Sequence, residues 1–171
     1  TGIMHSLFCA REKFEKVVIV SYGDIIFENS VLEKLLESKY DITAVVDKKW
    51  EKYWKLRTDK PLSDAESLLM DKENFITNIG EKNLKNFDKI CGQFIGLIMF
   101  QNKGLDDLKE FFNKIYSEAT KEYNPLNTNI PFKQSTLTNF LQGMVMNGYK
   151  IKAIPIENGW LEFDTVRDYE V

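Results

Sequence analysis

Asp24 follows an apolar, β-branched run, Val17-Val18-Ile19-Val20-Ser21-Tyr22, and a single glycine, Gly23. Such a run, with no polar alternation, reads as a strand covered on both faces. It puts the carboxylate at the strand's carboxyl end, where open α/β sheets bind ligands. A charge is tolerated there only when solvent, a metal or a cationic partner compensates it. Glu162 and Asp164 lie two apart in Trp160-Leu161-Glu162-Phe163-Asp164-Thr165, and side chains two apart on a strand share a face. Asp24 and Asp164 would suit Mg²⁺, which takes one or two carboxylates and fills its other positions with waters and phosphate oxygens. Glu162 then has two candidate roles, orienting a ligand water or binding a substrate's cationic group. Together the three acids would make a site for nucleotide chemistry. The rival reading is that Asp24 opens a surface turn, because Gly-Asp is also a common turn pair. Spacing along the chain does not decide whether the acids meet.

Asp47 ends a second apolar run, residues 40–47. Either it shares the Asp24 site or it is a turn residue after a strand. Residues 48–67 then carry Trp50, Tyr53, Trp54, Arg57, Asp59, Asp64 and Glu66. The aromatics either form a cage whose ring faces attract a cation or plug the core. No G-x-x-x-x-G-K-[ST] or G-x-G-x-x-G occurs, so no glycine loop for phosphate is present. The single histidine, His5, reads as a surface or helix-terminus residue.

The elements that must position these groups alternate strand and helix. Residues 1–16 read as a helix with Ser6 near its start, and residues 17–27 as the Asp24 strand. Ser30-Val31-Leu32-Glu33 has capping-box spacing at the head of a helix reaching residue 38. Residues 48–67 read as irregular. Residues 67–70 and 75–79 pair as a hairpin, residues 80–90 form a loop, and 93–100 are another apolar strand. Leu105, Leu108, Phe111, Phe112, Ile115 and Tyr116 follow helical spacing over 104–119. A polar linker, 124–131, leads to a helix over 135–148 ending at Gly148. Residues 151–156 form a strand, Asn158-Gly159 a turn, and Thr165 with Asp168 resembles the cap of a last helix.

A chain of 171 residues with 43% hydrophobic and 29% charged side chains is an ordinary globular composition, read as one α/β domain over 1–171. The net charge of −3 is spread along the chain, unlike the basic footprint of a nucleic-acid binder. No segment has the length and apolarity of a membrane span. Cys9 and Cys91 are isolated, without zinc or disulfide spacing, and read as reduced, buried thiols of a cytoplasmic protein. A chain opening Thr-Gly-Ile at a helix's front edge is expected to be a fragment or a processed product.

Several segments occur in the order seen in bacterial nucleotidyltransferases of the phosphocholine cytidylyltransferase type. They are Ser6-Leu7 before a helix, the strand ending in Tyr22-Gly23-Asp24, Ile42 to Asp47 followed by Lys48 and Trp50, Arg57 to Glu66, Gly92-Gln93-Phe94-Ile95-Gly96-Leu97, and Gly159 to Thr165. The Gly-Asp pair and the last segment also resemble sugar-phosphate nucleotidyltransferases. This resemblance implies a Rossmann-like mixed, mostly parallel sheet flanked by helices, with the chain forming the C-terminal two-thirds of such a domain. It implies transfer of a cytidylyl or other nucleotidyl group, CTP favoured, to a small phosphate or phosphonate such as phosphocholine, with Mg²⁺ and release of pyrophosphate. A sugar-1-phosphate acceptor and a non-catalytic binding module are the alternatives. Asp24 and Asp164 match the family's Mg²⁺ ligands, and Glu162 matches an acid beside them. Asp47, Trp50, Trp54, Arg57, Gln93 and Trp160 become candidates for the acceptor pocket, Gln93 standing where some relatives carry an acid. The implied partners are the nucleotide and the acceptor, with no nucleic acid or membrane, and a homodimer is a compatible assembly. Family members open with G-x-G-x-R and a downstream lysine, absent here, so this stretch alone is expected to be inactive.

Overall fold

Helix-spaced and strand-spaced apolar residues alternate along the chain, and the computed structural model, which describes residues 2–170, follows that alternation. The order is α1 (Ile3–Cys9), β1 (Val17–Ser21), β2 (Ile25–Phe27), α2 (Asn29–Leu36), β3 (Ile42–Asp47), α3 (Trp50–Arg57), α4 (Pro61–Asp64), β4 (Leu68–Met70), β5 (Ile76–Ile79), β6 (Gln93–Gln101), α5 (Asn102–Glu118), α6 (Leu137–Met146), β7 (Lys152–Ile156), β8 (Trp160–Glu162) and α7 (Val166–Glu170). Among the described residues no helix is long and apolar enough to cross a membrane.

The main sheet is mixed, in the order β1-β6-β3-β7. β3 runs parallel to β7 and antiparallel to β6, and β6 is antiparallel to β1. Antiparallel pairings therefore outnumber the parallel one, a smaller parallel share than the apolar strands suggested. Strand alternation sorts the core into two layers. Ile42, Ala44, Val46, Ile98 and Phe100 pack with α1, α5 and α6 residues such as Phe8, Leu108, Phe111 and Phe140. On the other face Val45, Leu97 and Met99 meet Val31 and Leu35 of α2 together with Trp50, Trp54 and Trp160. β4 and β5 form the expected hairpin.

Several elements differ from the sequence reading. The run 17–27 is two strands, broken at Tyr22-Gly23-Asp24. β1 alternates exposed and half-buried residues, as an edge strand does, and is not covered on both faces. Helix α1 is short, tightening at Ala10, whose N–H bonds the Leu7 carbonyl; Ser6 lies inside it, and Thr1 falls outside the described residues. Glu28 is the N-cap of α2, so Ser30 sits in the first turn, where its hydroxyl bonds Glu28 Oε2, and the expected box does not form. A capping box forms instead at Thr136 and Asn139 on α6. Residues 48–67 contain two helices: α3, on which Trp50, Tyr53, Trp54 and Arg57 fall at i, i+3, i+4 and i+7, and the single turn α4, which opens on Pro61. Cys9 is exposed and Cys91 half-buried, both free. His5 lies in α1 and stacks on Tyr116.

The break after β1 depends on Gly96. Its carbonyl accepts the Tyr22 N–H at 2.9 Å, and its φ of +82° lies where L side chains are strained. A Cβ there would stand 2.3 Å from Tyr22 Cδ2. Gly96→Ala should therefore lower unfolding free energy by about 2–4 kcal/mol, measured by urea denaturation, through backbone strain plus overpacking.

Candidate active site

The carboxyl end of β1 leads into β2, and β2 pairs antiparallel with β8, matching Ile25 with Glu162 and Phe27 with Trp160. One further bond, from the Phe163 N–H to the Asp24 carbonyl at 2.9 Å, extends this ribbon. Asp24 is thereby held opposite Phe163, between Glu162 and Asp164. The turn entering β8 has positive φ at both Asn158 and Gly159, the residues that best tolerate it.

Asp24, Glu162 and Asp164 all line one open cleft of about 520 Å³, with Asp64, Glu66, Tyr22, Trp54, Gln93, Phe94 and Lys82. Five acids thus face one lysine, which itself pairs with Glu66 at 3.3 Å. Burial, then the charges of Glu66, Glu162 and Asp24, push the Tyr22 hydroxyl well above its usual range. It is a proton-bearing donor at neutral pH. Burial also raises the Glu162 carboxyl, against the pull of Arg57. Asp24 and Asp164 offer hard oxygen ligands at a solvent-open wall, a donor set that fits Mg²⁺. Among the described residues no group of three or more His, Cys, Asp or Glu side chains is disposed to hold a metal by itself.

Behind the wall stands Arg57, whose side chain is 6% exposed. Nη1 bonds Glu162 Oε2 at 2.6 Å, Nη2 bonds Asp164 Oδ2 at 2.8 Å, and Nε bonds Asp168 Oδ1 at 2.8 Å. Burial disfavours its charge, but the bonds to Asp168 and Glu162 more than offset this and raise its pKa. The same contact with Arg57 holds the Asp168 carboxyl down at about 2. Asp168 Oδ2 accepts the N–H groups of Thr165 and Asp164 at 2.7 and 3.1 Å, so the Thr165 and Asp168 cap is formed. Tyr53, one turn earlier on α3, donates its hydroxyl to the Glu162 carbonyl at 3.1 Å and accepts the Glu162 N–H at 2.8 Å.

The remaining candidates divide. Gln93 and Trp54 reach the cleft, but Gln93 is 4% exposed, with its amide engaged by the Glu66 backbone. The Trp54 indole N–H has no partner among the described residues. Arg57, Asp47, Trp50 and Trp160 do not line the cleft. Asp47 is fully buried and accepts the Lys49 N–H, the Asn158 N–H and the Trp160 indole N–H at 2.8, 3.1 and 3.0 Å. It ties β3 to the turn before β8 and has no route to the Asp24 site. Trp50, Tyr53, Trp54 and Trp160 pack edge-on or tilted against one another. That packing fills core space, so no open cage forms. The sequence reading gave no site role to Tyr22 or Asp168 and offered Tyr53 only as part of an aromatic cage; only the spacing of Tyr53 and Arg57 at i, i+4 signalled a shared helix face.

No family profile matches the chain. A CTP:phosphoglutamine cytidylyltransferase of Campylobacter jejuni subsp. jejuni serotype O:2 is 32% identical over 177 residues, covering 100% of this chain and 67% of the relative. Among solved structures, the inositol-1-phosphate CTP transferase from T. maritima superposes with a TM-score of 0.64 at 23% identity, over 98% of this chain and 57% of that one. A putative glucose-1-phosphate thymidylyltransferase from Bacillus anthracis, in complex with a sucrose, gives 0.62 at 13% identity, over 99% and 58%. At such identities the two structures establish the fold alone. The chain spans less than two thirds of either.

Two outcomes follow for stability. Asp47→Ala orphans three donors, the Trp160 indole N–H fully buried and the Lys49 and Asn158 N–H groups partly so, and should cost about 2–4 kcal/mol in chemical denaturation. The depressed Asp168 carboxyl contributes stability that is complete above its ordinary value of 3.8 and is lost as pH falls toward about 2. Urea midpoints measured across that window should fall with acid, and Asp168→Asn should flatten the slope.

Proposed function

Because the chain belongs to the nucleotidyltransferase family that includes the cytidylyltransferases, we propose that it forms the metal- and acceptor-binding part of an enzyme moving a cytidylyl group from CTP to a small phosphate or phosphonate. One observation carries this reading: Asp24 and Asp164, from opposite ends of the chain, line one cleft beside Glu162. Glu162 and Asp164 share the Arg57 guanidinium with Asp168, three carboxylates on one cation, and Asp24 adds another acid to the cleft. The surplus negative charge favours a divalent cation.

In the reaction, an oxygen of the acceptor's phosphate attacks the α-phosphorus of CTP. The bond from that phosphorus to the bridging oxygen of the β-phosphate breaks, and pyrophosphate leaves. Mg²⁺, held by Asp24 and Asp164, would supply charge neutralisation at the phosphates. The chain's own residues do the positioning. Gly23, where an added Cβ would meet nothing within 4 Å, leaves the backbone open to close approach before Asp24. Tyr22, kept protonated, is a donor for a substrate oxygen. The acids Asp64 and Glu66, with the ring faces of Tyr22 and Phe94, favour an acceptor bearing a positive group, as phosphocholine does.

The test supplies CTP and Mg²⁺ to the full reading frame containing this chain, with phosphocholine, phosphoglutamine, aminoethylphosphonate, inositol-1-phosphate and glucose-1-phosphate in turn. Pyrophosphate release is expected with an acceptor bearing an ammonium group, and Asp24→Asn should lower kcat/KM by about 100-fold or more. Release with none of the five, or an Asp24→Asn enzyme as active as wild type, would overturn the proposal.

A further inference from the structure

The sequence resemblance nominates Arg57 for the acceptor pocket, where a guanidinium would be expected to grip a phosphate. The geometry points elsewhere. All three of its nitrogens are committed, to Glu162, Asp164 and Asp168, and its guanidinium lies over the rings of Tyr53 and Trp54, 5.4 and 5.2 Å from their centroids. We propose that Arg57 is a positioning residue that clamps the Glu162–Asp164 segment against α3 from behind the cleft and does not touch the acceptor.

Hydrogen bonds from Arg57, Asp168 and Tyr53 support the clamp. The strand it holds, β8, is three residues long and has β2 as its pairing partner, so ladder bonds alone give it little rigidity. Arg57 reaches Asp164 twice. The first route is direct, through Nη2. The second runs through Asp168, whose Oδ1 takes the guanidinium while its Oδ2 takes the Asp164 and Thr165 N–H groups. Tyr53 grips the Glu162 backbone from the preceding turn of the same helix. Three neighbouring carboxylates repel one another, so the positions of Glu162 and Asp164 depend on the cation between them. Lysine carries the charge as a single point and cannot reproduce a planar fork holding three partners.

This inference rests on the proposed transfer reaction, and its test separates the two. Arg57→Lys and Asp168→Asn, the latter leaving the guanidinium in place, are compared with wild type by thermal unfolding, by kcat and acceptor KM, and by hydrogen exchange of amides 163–168 without nucleotide or metal. The clamp predicts that in each folded variant these amides exchange faster by about tenfold or more while β6 stays protected. It also predicts that kcat falls by about tenfold or more, with acceptor KM changed less than about threefold. Arg57→Lys should rescue less than half of the loss seen in Arg57→Gln. A raised acceptor KM with kcat intact would mean that Arg57 touches the acceptor and would overturn the clamp. Unchanged kinetics per folded molecule, with only a lower Tm, would reduce Arg57 to a structural residue and overturn it too. If wild type transfers no nucleotide, the functional reading fails, and unchanged exchange at 163–168 would still refute the clamp. If Arg57→Lys does not fold, Asp168→Asn carries the same test.

Discussion

A guanidinium buried against two aromatic rings meets three carboxylates that follow it by more than a hundred residues in the chain. At an effective dielectric near 20, a pair of unit charges at contact distance interacts by about 4 kcal/mol. Each acid is therefore drawn to Arg57 about as strongly as it is repelled by an equally close acid. The arrangement holds because the cation is central and the acids are spread around it. Removing desolvated charges from water is costly, and a well-packed apolar cluster would stabilise a fold at least as well. What the network supplies is geometry: it holds two cleft-facing carboxylates, Glu162 at the last residue of β8 and Asp164 two residues beyond it, which a three-residue strand cannot fix by backbone pairing.

The rest of the architecture serves the same placement. The mixed sheet carries β1 and β3 to one end of the domain. Gly96 lets the Tyr22 ring lie against β6 as the chain turns into Gly23 and Asp24. Asp47, expected to be in the site, acts one layer below it, drawing in the Trp160 indole and the Asn158 N–H. The tryptophans that resembled a ligand cage fill the space between sheet and ribbon, and Trp54 alone among them contributes a cleft surface.

What was legible in the sequence follows from what is local. β3, β6, the β4 and β5 hairpin and α5 are announced by their apolar periodicity, and the Thr165 and Asp168 cap by its spacing. The resemblance of the Gly23-Asp24 and Trp160 to Thr165 segments to a known family correctly identified the family and the class of fold. The helix α3 was hidden because its charged residues Glu51, Lys52 and Lys55 dilute an aromatic stripe of three residues, Trp50, Tyr53 and Trp54. Ser30 and Glu33 have box spacing, but the helix begins two residues earlier than that spacing assumes, with Glu28 as its cap. Apart from the neighbouring Lys49 N–H, the partners of Arg57 and Asp47 lie 105 to 113 positions away. No window along the chain pairs such residues, so whether each lined the cleft or supported it was decided only by the tertiary arrangement.

The central claim is that Asp24 and Asp164 share one divalent cation beside a transferable phosphate. A crystal of the full-length protein grown with CTP and Mn²⁺, with the anomalous signal used to locate the metal, tests it most directly. The account predicts a peak about 2.1–2.2 Å from a carboxylate oxygen of each aspartate, near the ordinary reach of a small hard cation. A nucleotide bound with its metal on other residues, and neither aspartate within about 4 Å of the ion, would contradict it.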